Sequence, residues 1–250
     1  MRLVPTIVVP ALFSASLLVV ACKDKAAPPA PVAEAPPAPS GPMLAHPRAD
    51  MMAAAPKLAD TPADKLGTEA EGLGLAVGTK APDAALVDVS GQPATLASIY
   101  AKGPTLVVFY RGGWCPFCNQ QLHALTEAKP DFDKKGVGLV AISVDLPGEE
   151  AKTQAKHGIP FPMLSDPKLV AHKAFNVVKV ESPDEQARLK AFGVDLAAYS
   201  GETHASHAVP ALFLVDAKGV VQWAHVDPDF KTRPSPAQIL GAIDAKLGTK

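Results

Sequence analysis

Little in this chain can build covalent or charge-driven structure. Its 250 residues include three cysteines, two tryptophans and three tyrosines, and the formal net charge is −1. With cysteines only at positions 22, 115 and 118, no disulfide framework is possible, and if Cys22 is modified any bridge is local. Nucleic-acid binding needs a clustered positive surface, and the densest basic run is "DKK" at 133–135. A general nucleic-acid role is excluded on that ground. A structural zinc site wants four ligands, yet the Cys115–Cys118 pair has no second pair and only His123 near it in sequence. A c-type haem needs a histidine directly after the second cysteine, where Asn119 stands.

What is present divides by composition. Residues 1–21 carry Arg2 and then apolar and small residues from Leu3 to Ala21, the pattern of a secretory signal. The ending "VVAC" resembles the lipobox of bacterial lipoproteins. That resemblance implies cleavage before Cys22 and a diacylglycerol on it. The mature protein would then be exported and held at a membrane, facing the periplasm or the cell exterior. Residues 22–73 read as this lipidated N-terminus followed by a disordered linker. Within it, residues 23–62 hold 10 Pro and 12 Ala. Proline removes backbone donors and alanine buries little surface, so such a stretch makes a tether and no core. "TPADKLGTEAEGL" at 61–73 is expected to form a short helix at the junction.

Residues 74–250 read as one α/β domain. "TLVVFY" (105–110) is a β-branched and aromatic run bounded by glycines, a buried strand. A helix follows over 116–129, with Leu122, Leu125 and Ala128 at helical spacing. "VGLVAISVD" (137–145) is a second buried strand, 147–158 a polar-faced helix, and "FPMLSDP" (161–167) a short strand and turn before "LVAHKAF". Residues 211–227 read as a hairpin turning at Ala217-Lys218-Gly219. Ser235 and Pro236 open a closing amphipathic helix that shows Ile239, Leu240, Ile243 and Leu247 on one face. Short β-α-β crossovers imply a central sheet covered on both sides.

The cysteines in "RGGWCPFCNQQ" (111–121) fall where the first buried strand passes into its helix. A C-x-x-C opening a helix in a β-α-β context signals redox chemistry. Free N–H groups and the helix dipole favour a thiolate at the first turn. Arg111 adds a cation, and no Asp or Glu lies between Gly103 and Thr126 to oppose it. Cys115 and Cys118 are therefore the candidate reactive residues, and their spacing allows a disulfide within one turn. No further cofactor is called for. The Pro116-Phe117 pair between them would tune the redox potential. "HASH" (204–207) reads as a solvated loop, although His207 lies close enough to Pro210 to titrate beside the site. A proline at 210, starting a buried strand, needs a strand end or a cis turn.

Several ordered segments over roughly 75–250 resemble the peroxiredoxin-like (alkyl hydroperoxide reductase/thiol-specific antioxidant, or redoxin) branch of the thioredoxin superfamily. They are the opening through "VVFYRGGWCPFCNQQL", then "GVGLVAISVD" and "FPMLSDP", and the stretch from "GVDLAAYSGETHASHAVPALFLVD" onward. The resemblance implies a thioredoxin-like fold, a central mixed sheet flanked by helices. In that fold Pro210, preceded by Val209, would be a cis-proline facing the cysteines. In the peroxiredoxin register Arg111 replaces a proline, Cys115 a threonine and Pro210 an arginine, and Cys118 takes the peroxide-attacking position. In the thioredoxin "WCxxC" register Trp114 also matches, Cys115 becomes the nucleophile, and Cys118 resolves. Two activities follow. One reduces hydroperoxides, with the resulting Cys115–Cys118 disulfide reduced by a thioredoxin-like donor. The other acts on disulfides of exported proteins. A third reading, a lipid-tethered domain without catalysis, sits poorly with intact cysteines in a prepared electrostatic setting.

Overall fold

The computed structural model describes residues 57–248. Residues 1–56, and with them the signal segment, Cys22 and most of the expected linker, lie outside the described residues.

In chain order the first elements are β1 (Ala59–Asp60), β2 (Ala85–Asp88), β3 (Pro93–Thr95), α1 (Leu96–Tyr100) and β4 (Thr105–Phe109). Then come α2 (Pro116–Glu127), α3 (Lys129–Lys134), β5 (Gly138–Ser143), α4 (Pro147–His157), β6 (Met163–Ser165) and α5 (Val170–Ala174). β7 (Val178–Val180), α6 (Pro183–Ala191), α7 (Leu196–Ser200) and β8 (Ser206–Ala208) follow. β9 (Ala211–Val215), β10 (Val221–Val226), β11 (Thr232–Arg233) and α8 (Pro236–Leu247) complete the series. Seven strands form one mixed sheet in the order β10-β9-β4-β5-β6-β2-β3. β4, β5 and β6 run parallel, and the flanking strands on both sides are antiparallel to them.

The period-2 alternation of β4 explains its central place. Leu106 and Val108 point into one core with Leu122, Leu125 and Ile239 of the helices. Val107 and Phe109 point into the other, with Ile142, Phe175 and Phe213. Each such side chain, wholly removed from water, contributes about 1.5–3 kcal/mol. A strand buried on both faces reads as a near-continuous apolar run, here 106–109, with the Thr105 hydroxyl at its start satisfied by the Gly103 carbonyl.

The β9–β10 hairpin turns where expected, with Asp216 accepting from the N–H groups of Lys218 and Val220. α8 begins with Ser235 as N-cap in a capping box with Gln238, and buries Ile239 and Ile243.

Residues 61–73 differ from expectation. They form turns and an isolated bridge, Glu69 to Val226, with no helix. The expected linker boundary at 73 moves accordingly: β1 pairs in parallel with β11, and Thr61 N–H donates to the Arg233 carbonyl. The edges of β10 and β11 offer backbone partners to this segment, and inter-strand bonds satisfy its polar groups where an isolated short helix would leave its ends open.

Candidate active site

The site is built at the C-terminal end of β4. After Tyr110 the chain makes a tight turn through Arg111, Gly112, Gly113 and Trp114, then enters α2 with Cys115 as N-cap, Pro116 at the first helical position and Cys118 in the first turn. The two glycines are fixed by crowding. A Cβ on Gly112, at φ 144°, would lie 2.8 Å from Asp145 Oδ1, and one on Gly113 would lie 1.9 Å from Thr153 Oγ1. The turn is held by Cys115 N–H to Gly112 O, Asn119 Nδ2 to Gly113 O, and Gly113 N–H to Asp145 Oδ2 at 2.7 Å.

Both cysteines are free thiols, Cys115 1% and Cys118 0% exposed. Their proton affinities diverge. Burial pushes the Cys115 thiol up, but four effects outweigh it and bring it down to about 6. These are a hydrogen bond from the Cys118 thiol, the Arg111 charge, the Cys118 backbone N–H and the Arg233 charge. Burial pushes Cys118 well above the ordinary thiol range, and its hydrogen bond to Cys115 and the negative charge there add to that. The first thiol of the pair is thus the thiolate, and the second keeps its proton.

Arg111 is the organising cation. Its Nη1 lies 3.9 Å from the Cys115 sulfur, and Nη2 lies 3.5 Å from His207 Nε2 and 3.7 Å from Glu181 Oε1. The guanidinium also lies over the rings of Trp114 and Phe230, 4.8 and 4.3 Å from their centroids. His207 Nε2 meets Glu181 Oε1 at 2.7 Å. That hydrogen bond holds the Glu181 carboxyl below its usual range.

The acid-free surroundings expected around Arg111 hold only along the chain. The fold brings in Glu181 from beyond β7, together with Asp145 and Glu150 from the strand–helix junction after β5. Burial first, opposed by the Gly113 N–H and reinforced by Glu149 and Cys118, pushes Asp145 up to about 8. Glu150, wholly buried, is raised by burial and by Asp145, and accepts from the hydroxyls of Tyr110 and Ser143. Burial pushes both carboxyls toward their protonated forms, because the low-dielectric interior penalises each added negative charge. The sequence around the cysteines gives no sign of them; the one available signal lies elsewhere, where "SVD" (143–145) ends a buried strand with two polar residues.

Val209 and Pro210 join Arg111, Glu181, His207 and Phe230 around a cleft of about 430 Å³. Pro210 therefore lines the same cleft as Arg111, but the expected cis bond is not there: all peptide bonds among the described residues are trans. β8 already runs extended, and Val209 N–H donates to Val177 O at 2.7 Å, so the chain enters β9 without a tight turn. "HASH" is only partly a solvated loop. His207 is 2% exposed and sits in β8, while His204 Nε2 turns away to the Pro167 carbonyl. His123 lies on the exposed face of α2 beside Glu127.

The AhpC/TSA family profile matches residues 77–224. The thiol-disulfide oxidoreductase ResA of Geobacillus kaustophilus is 31% identical over 104 residues, 41% of this chain and 59% of that protein. A putative peroxiredoxin of Mycobacterium tuberculosis is 36% identical over 93 residues, 37% of this chain and 59% of that protein. The match thus spans about three-fifths of the length of these relatives. Among solved structures, peroxidoxin BcpB from Mycobacterium tuberculosis aligns with a TM-score of 0.55 at 18% identity, covering 71% of this chain and 99% of that chain. Thiol peroxidase from Chromobacterium violaceum aligns at 0.52 and 24% identity, covering 70% of this chain and 88% of that chain. These likenesses establish the thioredoxin-like fold with its mixed central sheet.

Proposed function

Because the chain belongs to the AhpC/TSA family, we propose that it is a thiol oxidoreductase that reduces hydroperoxides, with Cys115 attacking and Cys118 resolving. The observation that carries the order is the divergence of the two thiols, Cys115 brought down to about 6 and Cys118 raised. This inverts the peroxiredoxin register of the sequence, in which Cys118 would attack. A thiol at 1% exposure suits a small oxidant better than a folded protein.

In the first step the Cys115 thiolate takes the terminal oxygen of the hydroperoxide. The O–O bond breaks, and the leaving alkoxide or hydroxide takes a proton and departs as alcohol or water. Cys115 becomes a sulfenic acid. In the second step the Cys118 sulfur displaces that oxygen as water, its thiol proton leaves with it, and the Cys115–Cys118 disulfide forms. An external dithiol of thioredoxin type would return both thiols at the cost of its own oxidation. The signal-like residues 1–21 and the lipobox-like Cys22 support export and tethering at a membrane. Metabolic labelling with palmitate that leaves Cys22 unmarked would remove that part.

A second reading shares the site. Cys115 would attack a protein disulfide and Cys118 would release the reduced product. Its support is the same Cys115-first order and the likeness to a protein named as a thiol-disulfide oxidoreductase. Stopped-flow mixing of the reduced chain with hydrogen peroxide separates the two. Rapid oxidation, with a sulfenic acid trapped at Cys115 in Cys118→Ser, supports the peroxidase. A chain inert to peroxide that reduces insulin-type disulfides through Cys115 supports the other.

A further inference from the structure

A second buried arginine lies behind the cysteine helix, and among the described residues it forms no ion pair. Arg233, in β11, is 3% exposed. Its Nε donates to Gln121 Oε1 at 3.2 Å, and Nη1 donates to the carbonyls of Asp229 and Thr232 at 3.1 and 2.6 Å. Nη2 has no partner, and among the described residues no carboxylate forms an ion pair with this guanidinium. Arg111, the other buried arginine, has Glu181 at 3.7 Å.

Burying a full charge without a counter-charge is costly, and side chains of this type are found inside only when paired. The groups nearby do not supply one. Gln121 is neutral, burial pushes His225 of β10 toward its neutral form, and Thr61 Oγ1 has no hydrogen-bond partner among the described residues. Yet the fold fixes Arg233 firmly: Asp60 pairs with it across β1 and β11, and Thr61 N–H donates to its carbonyl at 3.0 Å. Gln121, to which it is tied, stands one turn beyond Cys118 on the buried side of α2. The Arg233 charge reaches both sulfurs and favours their ionised forms, although burial is the larger influence on each.

We propose that Arg233 is a positioning residue for the thiol chemistry, a second cation whose missing counter-charge is the thiolate of the Cys115–Cys118 pair. It touches no substrate and acts through its field alone. Arg111 faces the cleft with Glu181 partly offsetting it, whereas Arg233 lies on the interior side of α2 and, among the described residues, forms no ion pair. The Asp60, Asp227 and Asp229 carboxylates of the neighbouring segments make no contact with it within ion-pair distance. The inference rests on Cys115 being the more acidic thiol.

The test uses the full-length reduced chain and the Arg233→Gln, Arg233→Met and Arg233→Lys variants. The readout is the pH at which Cys115 alkylation by limiting iodoacetamide is half-maximal, with the labelled site assigned by peptide mass spectrometry. The Gln and Met variants are expected to raise that midpoint by about one pH unit, and Lys to hold it within a few tenths. A folded Gln or Met variant with the wild-type midpoint overturns the proposal. Should neither neutral variant fold, the Lys variant decides: a retained midpoint supports the proposal, and a rise of about one pH unit overturns it. The wild-type profile keeps the underlying reading separate. If Cys115 shows no acidic midpoint, the attack order fails; if it does and Arg233→Gln leaves it in place, only this inference fails.

Discussion

Arg111 Nη1 lies 3.9 Å from the Cys115 sulfur. The contact joins two residues four apart in sequence, on either side of a glycine turn, and the rings of Trp114 and Phe230 hold the guanidinium there. Planar stacking fixes the fork's orientation, so one nitrogen serves the sulfur while the other meets Glu181 and His207.

Arg111→Gln is expected to raise the midpoint of the Cys115 alkylation profile by about one pH unit or more, slowing alkylation at pH values near about 6 roughly fivefold or more. An unchanged profile in a folded variant would show that the 3.9 Å contact does not stabilise the thiolate.

Glu181→Gln should move the same midpoint the other way. Gln keeps a hydrogen-bond partner for His207 but removes the charge 3.7 Å from Arg111, leaving the guanidinium to act on Cys115 undiminished. The predicted shift is downward by about half a pH unit. An upward shift would mean that Glu181 matters for holding Arg111 in place and not for its charge.

Asp145→Asn tests the buried carboxyl. In the fold this acid releases its proton only at about 8, whereas in the unfolded chain it does so near 4. Between those values the folded state holds a proton that the unfolded state has lost, so stability falls as pH rises through this window. Asn has no such titration and can still accept from Gly113 N–H. Urea unfolding is therefore expected to find the variant more stable than wild type at about pH 8, by an amount on the order of a few kcal/mol, and close to wild type at about pH 4. Equal stability at both pH values would contradict it.

Gly113→Ala places a methyl group 1.9 Å from Thr153 Oγ1. Overpacking of this kind costs about 1–3 kcal/mol. Adding Thr153→Ala, which removes the clashing oxygen, is expected to recover part of the loss in a double-mutant cycle. Additive losses in that cycle would locate the strain elsewhere.

The legible features were those a local pattern fixes. "TLVVFY" announced a strand buried on both faces, because its run over 106–109 is apolar without alternation and the hydroxyl of Thr105 at its start bonds back to the Gly103 carbonyl. Ser235-Pro236 announced a helix start, and "WCPFC" after a strand announced paired thiols at a helix N-terminus. The helix read at 61–73 failed because its backbone bonds to β10 and β11, which lie more than 150 residues on. The cis bond at Pro210 failed because Val209 was already bonded to Val177 in the extended form.

The sequence by itself determined the central strand, the α/β order of elements and the two thiols, since hydrophobic periodicity and turn chemistry act over a few residues, and the likeness of its ordered segments to a known family pointed to the fold. Which thiol is acidic was left to the tertiary structure. That balance depends on burial and on Arg111, Arg233, Glu181 and Asp145, charges spread over more than 120 positions of the chain. Electrostatic interactions follow distance in space and local dielectric, and only the folded chain sets either one.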